Sequence, residues 1–494
     1  MPSLERQFRV LGAVFSLGFV AVALALLYWQ VGAASELTAR TDNPRRWEEE
    51  ARTLRGRILD RQGRDLALSE VVPGQNPRRR YPYPALAHVV GLLNPRLGTT
   101  GIEKSLDHEL AGRSLGSGVA SQLAALLHRP RVGNDVGLTI DLDVQRAADE
   151  AMKDAPGAAV ALDARTGAIL ALASRPLYDP NGLAVDTAAP LSAEGQRTQA
   201  LWDRLVADPA RPLLNRTTQG LYSPGSTFKT VTLVSALERG AAKPADVFQF
   251  TYKPADGTHP FAWHNNQYVS CHNHPQVGRF DLAGAYGWSC NVVFADLALA
   301  VGPQAYQESM RRFGLGEVPP LEIPAEASLP FATPNFFGGD ERFYALAATG
   351  MGQGELLITP LQMALVVAGV VNEGRVPRPH LVREVRYADG RSESRAREGT
   401  WKVATDPATA RQARQMMVAS VQGGWAKPAA IPGLEVGGKT GTAEHGGDEP
   451  HGWFIGYAAA GDRLVAVAVV KESAGSGTIQ AIPVARAMLQ AAMK

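Results

Sequence analysis

Residues 10–32 carry no charge, a run long enough for one helix to cross a bilayer. Arg6 and Arg9 precede it, and Tyr28 and Trp29 stand near its far end. Basic residues on the short side and aromatics at the other interface predict a transmembrane anchor over 10–32, with residues 1–9 in the cytoplasm and the remainder outside the membrane. A cleaved signal peptide is the competing reading, because Gly32, Ala33, Ala34 and Ser35 offer small residues, but the apolar stretch exceeds a usual signal core. From 33 to 135 apolar periodicity gives way to Arg, Pro and Gly, with breaks at Gly56, Gly63, Pro73, Pro82 and Pro95. That stretch reads as a small β-containing pedestal with little core of its own. A strand signal over 136–140 then leads to Asp143, an N-cap candidate, and to Val144, Ala147, Ala148 and Ala151 at helical spacing. A catalytic domain over 136–494 is expected to begin there.

Within that domain, residues 158–163 and 168–173 are short apolar runs around a turn at Arg165, Thr166 and Gly167, the pattern of a β-hairpin. Three further strand candidates lie near the C-terminus, around 436–443, 453–457 and 464–470, joined by Gly-containing connections. One antiparallel sheet can combine both ends of the domain. The middle is helical in pattern: Phe228, Val231, Val234 and Leu237 recur at helical spacing before Gly240, and a later start signal opens at Pro360. The expected class is α+β, an antiparallel sheet with packed helices.

A chain of 494 residues exceeds what one hydrophobic core fills, so several structural units are expected. The net charge of +2, from 50 basic and 48 acidic residues in mixed order, gives no nucleic-acid surface. Two cysteines, Cys271 and Cys290, exclude a disulfide-rich scaffold and leave two readings open: a single disulfide, or two buried apolar thiols.

Candidate chemistry sits in three short motifs. In the stretch Tyr222-Ser223-Pro224-Gly225-Ser226-Thr227-Phe228-Lys229, Ser226 stands where a helix begins, with Lys229 three residues on and on the same face. A serine there is by default only a cap. With a desolvated lysine beside it, the hydroxyl becomes a nucleophile with its own base, and an amide at a helix start is free to bind an oxyanion. Ser289 and Asn291, two residues apart at the start of an apolar helix, can relay a proton and orient the lysine and a substrate amide. In Lys439-Thr440-Gly441-Thr442, inside a strand candidate, alternation turns Lys439 toward the helices and both threonine hydroxyls toward a ligand, while Gly441 permits close approach.

Ser-x-x-Lys, Ser-x-Asn and Lys-Thr-Gly in this order form the set found in penicillin-binding proteins and class A β-lactamases. The chain resembles class B penicillin-binding proteins over nearly its whole length, most closely the compact penicillin-binding protein A type. Arg55-Gly56-Arg57 with Asp60, Gly63 and Leu66 is similar to the start of that family's dimerisation-type pedestal. Tyr81-Pro82-Tyr83-Pro84 and Gly101-Ile102-Glu103-Lys104 resemble its continuation. Asn215-Arg216, Gly352-Gln353-Gly354 and the segment 358–364 are similar to other family stretches. The resemblance implies a monofunctional peptidoglycan D,D-transpeptidase and β-lactam target: Ser226 the acylated nucleophile, Lys229 its base, Ser289 the relay and Asn291 a substrate contact. Lys439, Thr440, Gly441 and Thr442 would line the cleft and hold the donor carboxylate, with the Ser226 and Thr442 amides as oxyanion hole. It implies no metal and no cofactor. The pedestal is shorter than in many relatives, and the region before residue 135 leaves no room for a glycosyltransferase domain. A SEDS-family (shape, elongation, division and sporulation) glycosyltransferase is therefore the implied partner, beside peptidoglycan stem peptides and the cytoplasmic membrane.

Two rivals share these residues. A β-lactamase or D,D-carboxypeptidase uses water as acceptor, yet no Glu-x-x-x-Asn of the class A type occurs between Asn291 and Lys439. A protein that mainly activates a polymerase through anchor and pedestal is the other. His259, His264, Cys271, His272 and His274 crowd one segment, but their spacing fits no familiar zinc pattern, so the expectation remains no metal.

Overall fold

The computed structural model describes residues 4–33, 52–113 apart from 72, 74, 75 and 95, 131–185 apart from 154, 191–249, 260–263, 267–270, 279–330, 342–446 apart from 388, and 449–494. The N-terminal helix Leu4–Leu27 runs into a wider turn at Tyr28–Gly32, and its apolar window, within Arg6–Gly32, is not buried by any other part of the chain.

The catalytic sheet has five antiparallel strands in the order Glu435–Ala443, His451–Ala460, Arg463–Lys471, Gly157–Asp163 and Ile169–Arg175. It joins both ends of the domain, as the apolar runs suggested. Its strands are apolar at successive positions because both faces are covered. Val160, Leu162, Ile455, Ala466 and Ala468 point into one core, whereas Ala159, Ala161, Phe454, Val465 and Val467 point into a second on the opposite face. Helices Leu142–Met152 and Ile482–Ala492 cover the second face. The first carries helix Pro360–Val371, every residue of which is buried, and helix Lys229–Glu238.

A second sheet of six strands runs Ser392–Ser394, Val382–Arg386, Asp135–Leu138, Ile58–Leu59, Asp65–Glu70 and Arg78–Arg80. The strand expected to open the catalytic domain thus pairs in parallel with Ile58–Leu59 and antiparallel with Val382–Arg386. Pedestal and catalytic segments share one hydrogen-bonded sheet there. What holds the pedestal is partly ionic. Glu103, fully buried, bridges Arg55 (Nε to Oε2, 2.6 Å) and Arg79 (Nε to Oε1, 2.6 Å), and Arg55 also reaches Asp107 at 2.8 Å. Both guanidinium charges keep the Glu103 carboxyl below its usual range, against the opposing effect of burial. The sequence stretches containing Arg55 and Glu103, 48 residues apart, therefore meet in one buried cluster.

One cap differs from expectation. Asp141, not Asp143, caps helix Leu142–Met152, its carboxylate accepting the Asp143 amide at 3.0 Å. Asp141 is the residue still in extended conformation when the helix starts, which is what a cap requires. Asp143 instead meets Arg64 at 2.8 Å.

Candidate active site

The segment around Ser226 begins as a tight 3-10 turn, Gly225–Phe228, and widens into helix Lys229–Glu238, so Ser226 lies just before the regular helix. Its hydroxyl does not cap that helix; Thr227 closes the turn, donating to the Pro224 carbonyl at 2.6 Å. Ser226 Oγ instead faces Lys229 Nζ at 3.1 Å. The turn is held against two glycines. A Cβ on Gly352, at φ 87°, would stand 1.8 Å from the Gly225 carbonyl oxygen, and one on Gly441 would stand 2.9 Å from Thr227 Cγ2. The close approach permitted by Gly441 is that of the turn carrying Ser226.

Ser289 sits in the break between helices Leu282–Gly287 and Asn291–Val301 at φ 65°, a left-handed conformation rare for a residue with a side chain. The result is that both its carbonyl oxygen, at 2.8 Å, and its Oγ, at 3.1 Å, reach Lys229 Nζ. Asn291 does not cap its helix either, since its Oδ1 accepts from Lys229 Nζ at 2.6 Å. The amine thus has four oxygens around it. The Ser289 carbonyl and Asn291 Oδ1, the two nearest, can only accept, so they take N–H bonds, while the two hydroxyls can donate to a lone pair.

Lys229 is fully buried, and its pKa falls well below the usual lysine range, first through desolvation and then through repulsion from Lys439. Lys439 is equally buried and is lowered to about 7 by desolvation. Its Nζ donates to the Thr440 carbonyl at 3.0 Å and lies over the Tyr286 ring, 5.8 Å from the centroid. Tyr286 is itself fixed by a 2.8 Å hydrogen bond with Thr230.

Ser226, Ser289, Asn291, Thr440, Gly441 and Thr442 line one groove of about 610 Å³. Lys229 and Lys439 lie beneath it rather than in its wall. Strand Glu435–Ala443 is an edge strand, and the Thr442 carbonyl oxygen stands 2.7 Å from where a Cβ on Gly225 would be. On an antiparallel strand a residue's N–H and C=O face the same way, so the Thr442 amide also points toward the turn carrying Ser226.

Several contributors were not legible in the sequence. Trp425, 137 residues from Trp288, donates its indole N–H to the Trp288 carbonyl at 3.1 Å, and the two rings meet edge to face in the groove lining. Glu472 accepts from Tyr222 at 2.6 Å and from Arg216 at 2.7 Å, bracing the loop before Ser226. Arg216 carried a signal, as part of a family-like stretch; Glu472 and Trp425 carried none. Glu444 also lines the groove. Of the two readings left open for the cysteines, Cys290 follows the disulfide one, being fully buried and not a free thiol, while Cys271 lies outside the described residues. So do His259, His264, His272 and His274.

The transpeptidase domain of penicillin-binding proteins matches residues 157–490, and the chain belongs to that family. It is 36% identical to the peptidoglycan D,D-transpeptidase PbpA of Mycolicibacterium smegmatis over 486 residues, 94% of each chain, and 34% identical to PbpA of Mycobacterium tuberculosis at the same coverage. Penicillin-binding protein A from M. tuberculosis, solved as a ceftriaxone acyl-enzyme, superposes with a TM-score of 0.79 at 31% identity, covering 90% of this chain and all of that one. A D,D-transpeptidase domain from Eggerthella lenta gives 0.74 at 32% identity, covering 90% and 99%. The chain is thus a class B penicillin-binding protein of the compact A type, as its motifs and short pedestal implied.

Proposed function

We propose that this chain cross-links peptidoglycan as a serine D,D-transpeptidase through a Ser226 acyl-enzyme. The observation that carries the reading is the buried Lys229 amine, its pKa lowered by desolvation and its Nζ 3.1 Å from Ser226 Oγ. Two N–H bonds go to oxygens that only accept, leaving a lone pair for the Ser226 proton. As Oγ attacks the D-Ala-D-Ala carbonyl, its proton passes to Lys229, and the oxyanion is held by the Ser226 and Thr442 amides. Ser289, bonded to the same amine, returns the proton to the departing D-alanine. An amine from a second stem peptide then takes the acyl group, loses a proton to the same relay and frees Ser226. Lys439 draws the donor carboxylate toward Thr440 and Thr442, and Asn291 steadies both lysine and substrate. No step in this sequence calls on a metal or cofactor.

In this reading the 10–32 helix anchors the chain with residues 1–9 in the cytoplasm, residues 33–135 form the pedestal, and residues 136–494 form an extracytoplasmic catalytic domain. A SEDS-family glycosyltransferase supplies the glycan strands. β-lactams mimic the donor and trap the acyl-enzyme.

The test is the lifetime of a labelled penicillin adduct. The label should survive denaturation, persist in intact-mass spectra for an hour or so after excess drug is removed, and be absent in Ser226→Ala. Because each 1.4 kcal/mol or so of missing stabilisation slows deacylation about tenfold, the adduct persists in the transpeptidase reading, where the acceptor is an amine and water is not activated. Rapid return to the unmodified mass, with many drug molecules hydrolysed per protein, would instead establish a β-lactamase. Release of D-alanine without cross-linked product would establish a carboxypeptidase.

A further inference from the structure

Among the described residues lining the groove, Glu444 is the one with a formal charge, and its carboxylate forms no ion pair with any described residue. Its position follows from strand alternation. Thr440 and Thr442 alternate on the groove side of the edge strand, and Glu444, one residue past its end at Ala443, continues that side, while Ala443 between them is buried. Two residues of extended chain span about 7 Å, so Glu444 stands roughly that far beyond Thr442, on the side away from Lys439.

That spacing acquires meaning from the donor's direction, and here the inference rests on the transpeptidase reading. With the donor carboxylate drawn toward Lys439 and Thr440 and the reacting carbonyl at Ser226 and Thr442, the donor runs antiparallel to the strand. The residue preceding D-Ala-D-Ala then falls beside Glu444. We propose that Glu444 determines specificity by selecting a positive charge on that residue's side chain, the free ammonium of a diamino acid, and on the corresponding acyl substituent of a β-lactam. The surroundings suit one cation: Trp288, Trp425 and Tyr344 supply ring surface, and Ser476 and Thr478 supply neutral hydroxyls. Glu444 is exposed, so it acts by electrostatic preference and not as a buried partner.

The experiment compares acylation rate constants of the full-length protein for three penicillins of similar size: ampicillin, whose side chain bears an ammonium, carbenicillin, whose side chain bears a carboxylate, and neutral benzylpenicillin. It is run at pH about 6.5, where an α-ammonium stays charged. Glu444→Gln should lower the ampicillin-to-carbenicillin ratio roughly three- to tenfold, because attraction to one and repulsion of the other vanish together. Glu444→Lys should lower it further, and raising the salt concentration should shrink the native protein's ratio but not that of Glu444→Gln. Benzylpenicillin reports any loss common to all three drugs, which is divided out. A ratio unmoved by both substitutions overturns the proposal while leaving the transpeptidase reading intact. If none of the three drugs acylates Ser226 in the native protein, it is the transpeptidase reading itself that fails.

Discussion

Lys229 is buried to the last atom, and that desolvation, with repulsion from Lys439, holds its pKa well below the usual lysine range in the fold, whereas unfolding returns it to water. Its folded pKa lies below its unfolded one. Between those two values the unfolded chain binds more protons, so stability is lowest on the acid side and rises as pH climbs toward the unfolded value. Replacing Lys229 with Met removes this proton and preserves most of the volume. Urea unfolding at pH about 7 and about 9 should show the native protein gaining more stability than Lys229→Met, by up to about 1.4 kcal/mol per pH unit. Acylation by labelled penicillin should fall about a thousandfold in the same variant. Parallel stability curves would mean that Lys229 keeps its proton in the fold and that the base lies elsewhere. Arginine is a poor probe here. It would force a permanent charge into a fully buried position, so lost folding and lost catalysis would be confounded.

The elements are set against each other by contacts that leave room only for glycine. The Gly225 carbonyl, immediately before Ser226, lies where a Cβ on Gly352 would be, and Gly352 also has φ 87°. Gly352→Ala therefore meets two obstacles, a left-handed backbone and a backbone clash at 1.8 Å. It should cost about 2 kcal/mol or more in stability. It should also slow acylation at temperatures where the variant is still folded, because the element that yields is the turn carrying Ser226. Thermal melting together with acylation rates would test this; a variant that melts lower yet acylates at the native rate would show that the turn is held by other contacts.

For the whole molecule, the family-matching region, residues 157–490, does not complete its own hydrogen bonding. Strand Val382–Arg386, inside that region, pairs with Asp135–Leu138, which in turn pairs with Ile58–Leu59 of the pedestal. Helix Leu142–Met152, also outside the region, covers the second core through Val144, Ala148 and Met152. A chain beginning at residue 157 loses both. It exposes a strand edge and an apolar sheet face, and should aggregate or melt at least several degrees below a chain beginning at residue 52. Size-exclusion chromatography and thermal melting of the two chains would decide; equal melting temperatures would show the catalytic unit to be independent of the pedestal.

The sequence by itself determined what depends on neighbours a few residues apart. The uncharged stretch over 10–32 dictated a helix, and the helical spacing through Leu237 and the stop near Gly240 located the nucleophile helix. The order of Ser226, Ser289 and Lys439 within their motifs named the chemistry, because nucleophile, relay and strand each need a local pattern. The apolar runs near both ends even indicated one shared sheet. Only the tertiary structure decided which groups meet across long separations. It alone brought Glu103 between Arg55 and Arg79, Glu472 to Tyr222 and Arg216, Trp425 to Trp288, and the Ser289 carbonyl to the Lys229 amine. Spacing along the chain places Lys229 near Ser226, but it cannot give the burial that lowers the lysine's pKa, since desolvation is produced by every element packed around it. The same holds for Asp141 and Asp143, both competent caps by type: the end of the preceding strand decided between them.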